Sequence, residues 1–154
     1  MKIKITNNRI WSILNNMKQL GEVIGSTKFN RGILKNRGIL QEHFREVQSK
    51  VKQPDPAYYE YIDARKQLID TFQAEVKTAN EASTAAPSKQ EHDDAILGLN
   101  TKYASTLEDF KAEERKTSLL MEAEVELDIH AISEEDIPDM SLEKFELIDP
   151  LISE

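Results

Sequence analysis

The sequence predicts a mainly α-helical protein: a long antiparallel helical hairpin or bundle, with a small two-stranded β-ribbon joining the N- and C-terminal regions. The chain of 154 residues contains only 5 Gly and 5 Pro, too few for a turn-rich sandwich or barrel. Apolar residues recur at helical spacing through its middle and alternate with polar residues near both ends. With 39% apolar residues, the chain suits a single domain, residues 1–154, with one modest core.

The N-terminal segment predicts a strand followed by a helix. Residues 2–6 alternate Lys and Ile, as a half-buried strand does. Asn7 or Asn8 is the expected N-terminal cap of the helix, and Gly21 is its expected stop. One face of this helix is expected to carry Ile10, Trp11, Leu14 and Met17.

The second helix has a narrow apolar stripe and two alternative starting points. It begins either at a cap formed by Ser26 or Thr27, or only after Gly38, which would leave residues 26–38 as a basic loop. Two prolines, Pro54 and Pro56, end it, because proline lacks the backbone N–H group. The stripe consists of Ile33, Leu40, Phe44, Val47 and Val51. We expect long antiparallel helices over about 38–53 and 56–77.

The remaining helices are separated by a segment of small and polar residues. Residues 78–90 are predicted to be a flexible internal loop. Ser88 and Glu91 fit a capping box for a helix over about 89–118. Burial is expected for the apolar stripes of all three long helices: Ile33, Leu40, Phe44, Val47, Ile62, Ile69, Phe72, Tyr103, Leu107 and Phe110.

The C-terminal region returns to a period of two. Val125, Leu127 and Ile129 alternate with acidic residues, which indicates a strand over 124–130. We expect this strand to pair with residues 2–6, because a lone strand leaves its backbone groups unpaired. A short helix capped by Ser141 follows.

Charge is distributed very unevenly along the chain. The net charge is +8 over residues 1–52 and −12 over residues 107–154, within a total of −8. The paired strands neutralise part of this asymmetry, since Lys2 and Lys4 would face acidic residues. The absence of Cys excludes disulfides and a thiolate nucleophile, and no apolar run approaches the roughly 20 residues that span a bilayer. We therefore expect a soluble, intracellular protein with no membrane partner.

The sequence carries no recognisable catalytic motif. It contains no phosphate-binding glycine loop, nucleophile elbow or dinucleotide fingerprint. His43 and Glu46 are one helical turn apart, but the apolar stripe points them in different directions, so a surface histidine is the better interpretation. The sequence predicts no enzyme, no catalytic residue, no metal site and no cofactor.

Two groups of residues are candidates for partner contact. Lys28, Arg31 and Lys35 share one helix face roughly opposite the apolar stripe, and Arg37 lies at the edge of that stripe; these four residues are the candidate phosphate donors. A solvated face that is neutralised in the fold is the alternative interpretation. In the Tyr58-Tyr59-Tyr61 cluster two side chains can join the apolar stripe, which leaves Tyr59 outward as a candidate protein contact.

Several motifs together resemble a family of small bacteriophage proteins of unknown function. The motifs are Met1-Lys2-Ile3-Lys4-Ile5-Thr6-Asn7-Asn8, Leu20-Gly21, Lys28, Ile33-Leu34-Lys35-Asn36-Arg37, Tyr58 to Leu68 with Ala64-Arg65-Lys66, and Glu124-Val125-Glu126-Leu127-Asp128-Ile129-His130. The segment 78–90 is an insertion relative to that family. The resemblance implies a phage origin and carries over no functional residue.

The resemblance and the absent catalytic motifs favour a non-enzymatic phage accessory protein in the host cytoplasm. It would act by stoichiometric binding to a host factor or a nucleotide signal, for example in a defence system. A protein partner is expected first, a nucleotide second, and duplex nucleic acid is not expected; a homo-oligomer is compatible with the helical stripes. The alternative is a structural or assembly component of the virion, at the head–tail connection or in the tail.

Overall fold

A computed structural model describes residues 1–20 and 25–153, and it is mainly helical, as predicted. The helices are α1 (Asn7–Leu20), α2 (Thr27–Lys50), α3 (Pro56–Glu81), α4 (Lys89–Lys102), α5 (Ala104–Glu122) and α6 (Leu142–Ile148). The strands are β1 (Lys2–Thr6), β2 (Glu124–Asp128), β3 (Ile132–Ser133) and β4 (Ile152–Ser153). Contacts group the chain into two compact units, one formed by residues 1–51 and 116–154 and the other by residues 52–115. The single domain over residues 1–154 stays a prediction.

The predicted ribbon joins the two ends of the chain. Strands β1 and β2 are antiparallel, and Ile3 and Ile5 lie opposite Leu127 and Val125. This register confirms the predicted pairing, because a shift of one residue would turn the apolar side chains to solvent. Lys2 pairs with Glu126 at 2.6 Å across the ribbon.

The N-terminal ammonium group adds a contact at the end of the ribbon. It lies 3.0 Å from Asp128 Oδ1 and also donates to the carbonyl of Ile129. Its hydrogen bond and positive charge lower the pKa of the Asp128 carboxyl below the ordinary value. Because both partners are near the surface, the contact contributes little to stability.

The hydrophobic core of the first unit is built where α1, α2 and α6 pack against the ribbon. Fully buried side chains include Ile10, Ile13, Phe29, Leu40, Ile148 and Leu151. The predicted inward face of helix α1 is confirmed at Ile10 and Met17, which are buried, and at Leu14, which packs against the core. It is wrong at Trp11, which is 48% exposed, and Ile13 and Leu20 are buried as well.

Several helix boundaries differ from the predicted ones. The hydroxyl of Thr6, and not Asn7 or Asn8, accepts the Arg9 N–H group at the start of α1. Helix α2 begins at Thr27 with Ser26 as its cap, which rules out the start after Gly38. Ser141 precedes α6 without a side-chain capping bond. The expected stop at Gly21 lies outside the described residues.

The second unit is an antiparallel hairpin of α3 against α4 and the first part of α5, so the packing partner of α3 within its unit is the helix that follows it. The expected antiparallel pairing of 56–77 with 38–53 stays a prediction. Two ring contacts show the antiparallel arrangement, because the later residue of α3 contacts the earlier residue of the facing helices. Tyr58 stacks on Phe110 with 3.8 Å between ring centroids, and Phe72 stacks on His92 at 4.3 Å. The Tyr61 hydroxyl donates to Asn100 Oδ1 at 2.8 Å. The helix expected over 89–118 is interrupted at Tyr103 and is therefore α4 followed by α5.

Burial in this hairpin is lower than the sequence predicted. Among its described residues only Tyr61 and Ala79 are classed as buried. Ile62 is 39% exposed, and Ile69, Phe72, Tyr103, Leu107 and Phe110 are half-buried. Two packed helices cover only one side of each other, which explains the low burial in the hairpin. The predicted burial is confirmed for Leu40, Phe44 and Val47, which belong to the first unit.

The connection between α3 and α4 is shorter than the predicted loop 78–90. Helix α3 continues to Glu81, and α4 begins at Lys89. The Ser88 hydroxyl accepts the Glu91 N–H group at 3.3 Å, which confirms the serine half of the predicted capping box. Flexibility of this connection stays a prediction. In the described parts of the chain, none of the helices combines the length and apolar character that crossing a bilayer requires.

Candidate functional site

The strongest candidate site is a pocket on the exposed side of α2, called here the basic pocket. Its volume is about 190 Å³. It is lined by Lys28, Arg31, Lys35, His130, Ala131, Ile132, Ser133 and Asp136. All of these residues belong to the first unit.

Helix α2 forms one wall of the pocket. The Ser26 side chain accepts the Phe29 N–H group at 3.1 Å, which starts the helix at Thr27 and fixes the face that the basic residues share. Lys28, Arg31 and Lys35 are separated by three and four residues, so their side chains follow one line along the helix. All three are exposed, which leaves their charged groups accessible to a ligand.

The other wall is the segment around β3, and a buried asparagine holds it against the helix. Asn36, at 0% exposure, donates from Nδ2 to the carbonyl of His130 at 2.8 Å. Its Oδ1 accepts the His130 N–H group at 2.8 Å. One amide therefore satisfies both backbone polar groups of His130 and positions that residue at the pocket.

Gly32 explains how closely the two walls approach. A Cβ atom at this position would lie 3.0 Å from Cγ1 of Ile132 and 3.5 Å from Cδ2 of His130. A side chain would therefore push the β3 segment away from α2. By contrast, a Cβ atom on Gly38 would meet nothing within 4 Å, so packing gives no reason for that second glycine.

The electrostatics of the basic pocket favour an anion. Three cationic side chains line it, against the single carboxylate of Asp136. Asp136 Oδ1 lies 4.0 Å from Lys28 Nζ, at the outer limit of an ion pair. Such an exposed, long pair is weak, so an incoming phosphate can take over the lysine. Arg31 can add the two parallel hydrogen bonds that a guanidinium forms with a phosphate.

The size of the pocket limits what it can enclose. Sites for drug-sized ligands are typically about 300–1,000 Å³, and this one is about 190 Å³. It therefore suits a single phosphate group, with the rest of the ligand lying outside. The Ser133 hydroxyl, which belongs to a lining residue, can supply one more hydrogen bond.

Two of the sequence-predicted site residues lie elsewhere. Arg37 is on α2 and exposed, but it does not line the basic pocket. Tyr59 belongs to the hairpin unit and is 51% exposed, so it faces outward as predicted.

Sequence reasoning missed His130, Ser133 and Asp136 as pocket residues. Their position depends on a strand of only two residues, which leaves no periodic pattern. The signal that existed was Asn36, a polar residue on the otherwise apolar side of α2. A buried polar residue requires a partner, and this one finds the backbone of His130.

The histidines have identifiable roles or positions. His43 Nε2 lies 2.7 Å from Asn7 Oδ1, and Asn7 Nδ2 donates to the carbonyl of Leu120, so this network ties α2 to the end of the ribbon where Thr6 faces Glu124. His92 stacks on Phe72. Within residues 1–20 and 25–153, no group of three or more His, Asp and Glu side chains is arranged to hold a metal ion.

Comparison with known proteins adds no relative. The chain gives no significant match to protein-family models, to curated proteins or to solved structures.

Proposed function

We propose that the protein is a non-enzymatic binding protein that takes up a phosphate-bearing nucleotide in the basic pocket. The observation that carries this proposal is the convergence of Lys28, Arg31 and Lys35 with His130 around one cavity. The sequence alone placed three of these side chains on a helix face. The segment around β3 adds a second wall that includes His130, and this supports the interpretation as a binding pocket.

The wider biological role follows from the resemblance to phage proteins. We propose a phage accessory protein of the host cytoplasm that sequesters a nucleotide signal by stoichiometric binding. Of the two partner classes expected from the sequence, the nucleotide is the one that the pocket favours, because its size and charge suit one phosphate group.

The proposal predicts that nucleotide binding requires the phosphate groups of the ligand and the side chains of Arg31 and Lys35. Isothermal titration should detect ATP binding to the wild-type protein, no binding of adenosine, and weaker ATP binding at higher salt. The double variant Arg31→Glu and Lys35→Glu should abolish ATP binding while the circular dichroism spectrum is unchanged, because both side chains are exposed.

A matched control is available on the same helix. Arg45→Glu with Lys50→Glu makes the same charge change on exposed residues outside the pocket, and it should bind ATP within about threefold of wild type, since distant surface charges are screened. Unchanged affinity of the Arg31 and Lys35 variant would contradict the proposal and move the search to Tyr59 or the acidic C-terminal region.

A further inference from the structure

A second surface, independent of the basic pocket, lies around the start of α6. It is a groove of about 600 Å³ in the first unit. Its apolar wall includes Ile137, Met140, Leu142 and Phe145. Leu142 is 71% exposed and Phe145 is 37% exposed. We call this surface the α6 groove.

The charged residues that line the α6 groove are acidic. Glu134 and Asp139 line it, and no basic residue does so among the described lining residues. The segment 134–146 carries six carboxylates and one lysine. An apolar groove with acidic edges is complementary to a chain segment that combines apolar side chains with Lys or Arg.

The size of the groove fits such a segment. Its volume of about 600 Å³ lies within the range of about 300–1,000 Å³ that is typical of sites for drug-sized ligands, which is room for a few side chains of such a segment. Burying exposed leucine and phenylalanine side chains would supply the affinity, and the carboxylates would set the orientation and the preference for basic partners.

We propose that the α6 groove binds a basic amphipathic peptide segment of a protein partner. The turn at residues 134–136 lies between the α6 groove and the basic pocket: Glu134 lines the groove, whereas Asp136 lines the basic pocket. The two surfaces therefore use different side chains of one turn, and each can be altered alone.

The test uses a defined peptide pair and fluorescence anisotropy. The basic probe is a helical peptide of about 14 residues with Leu at positions spaced three and four apart and Lys at the others; the acidic probe carries Glu in place of Lys. The full-length protein should bind the basic probe and not the acidic one. Equal binding of both probes, or of neither, would overturn the proposal.

Leu142→Glu separates groove binding from general attraction to an acidic protein. The variant removes an apolar contact and adds a negative charge, so groove binding predicts at least tenfold weaker affinity for the basic probe, whereas general attraction predicts equal or stronger affinity. The matched control is Leu97→Glu, which replaces a 63% exposed leucine of the hairpin and should leave the affinity unchanged. Both leucines are exposed, so both variants should fold.

Two further measurements complete the test. The double variant Glu134→Lys with Asp139→Lys should also lower the affinity for the basic probe at least tenfold. Affinity at the wild-type level would overturn the role of these carboxylates. Analytical sedimentation should show that the wild-type protein does not form a dimer through the α6 groove. A wild-type dimer that the Leu142→Glu variant dissociates would identify the occupant as a second copy of this chain, and the proposal would be wrong. Leu142→Glu should retain ATP binding, so failure here is distinguishable from failure at the basic pocket.

Discussion

Asn36 connects the core of the protein with its candidate binding site. The side chain is fully buried in the first unit, and it pairs with both backbone polar groups of His130. An apolar residue of similar size would fill the space but would leave the His130 N–H and carbonyl groups without these partners. Such unpaired groups are costly when water cannot reach them.

Asn36→Leu should therefore be strongly destabilising and should also weaken the pocket. We expect a loss of about 3 kcal/mol in the free energy of unfolding, because two backbone groups are left unpaired. The folded fraction of this variant should also bind ATP more weakly than the wild-type protein. Urea denaturation measures the first effect and titration the second. The control Asn80→Leu, on an exposed position of α3, should cost less than about 0.5 kcal/mol. Equal costs for the two variants would show that the contact with His130 is unimportant.

At the scale of the elements, α2 contains two glycines with opposite environments. Gly32 lies against Ile132, whereas Gly38 faces open space. Glycine in a helix costs about 1 kcal/mol relative to alanine. Only Gly32 is accounted for by the close approach of another element.

Alanine substitutions should separate the two glycines. Gly38→Ala should stabilise the protein by about 1 kcal/mol through helix propensity alone. Gly32→Ala should lose that gain, because its Cβ would press on Ile132 and shift the wall of the basic pocket. Thermal unfolding compares the two variants directly. An equal stabilisation by both would contradict the tight packing of α2 against β3.

The elements that periodicity encodes were predictable from the sequence. The ribbon, the shared face of its apolar residues and most helices follow from apolar spacing, because a buried face must repeat with the period of its element. The antiparallel direction of the ribbon, the break at Tyr103 and the exposure of Trp11 depend on tertiary packing, which spacing does not encode. Strands β3 and β4 have two residues each, too few for any period, and the second wall of the basic pocket was missed for that reason.

At the scale of the whole molecule, the two units differ in how much they bury. The first unit contains a continuous cluster of buried apolar residues, whereas the hairpin has few. Truncating an apolar side chain should therefore lower the free energy of unfolding more in the first unit than in the hairpin. The single tryptophan, Trp11, belongs to the first unit and reports its unfolding by fluorescence.

Two isoleucine-to-alanine substitutions measure this difference. Ile13 is fully buried, so Ile13→Ala should cost about 3 kcal/mol through lost burial and a cavity. Ile62 is 39% exposed, so Ile62→Ala should cost less than about 1 kcal/mol. Hydrogen exchange should also be slowest in α1 and the central part of α2. A larger cost at Ile62 than at Ile13 would show that the hairpin contains a core of its own.

The proposed function rests on phosphate binding in the pocket between α2 and the β3 segment. The most direct test is a titration of the isotopically labelled protein with ATP, followed by amide chemical shifts in NMR spectra. We predict that the largest changes cluster at residues 28–35 and 130–136, and that they disappear in the Arg31→Glu and Lys35→Glu variant. The largest changes at Tyr59 or elsewhere in the hairpin, or no changes at all, would contradict the claim.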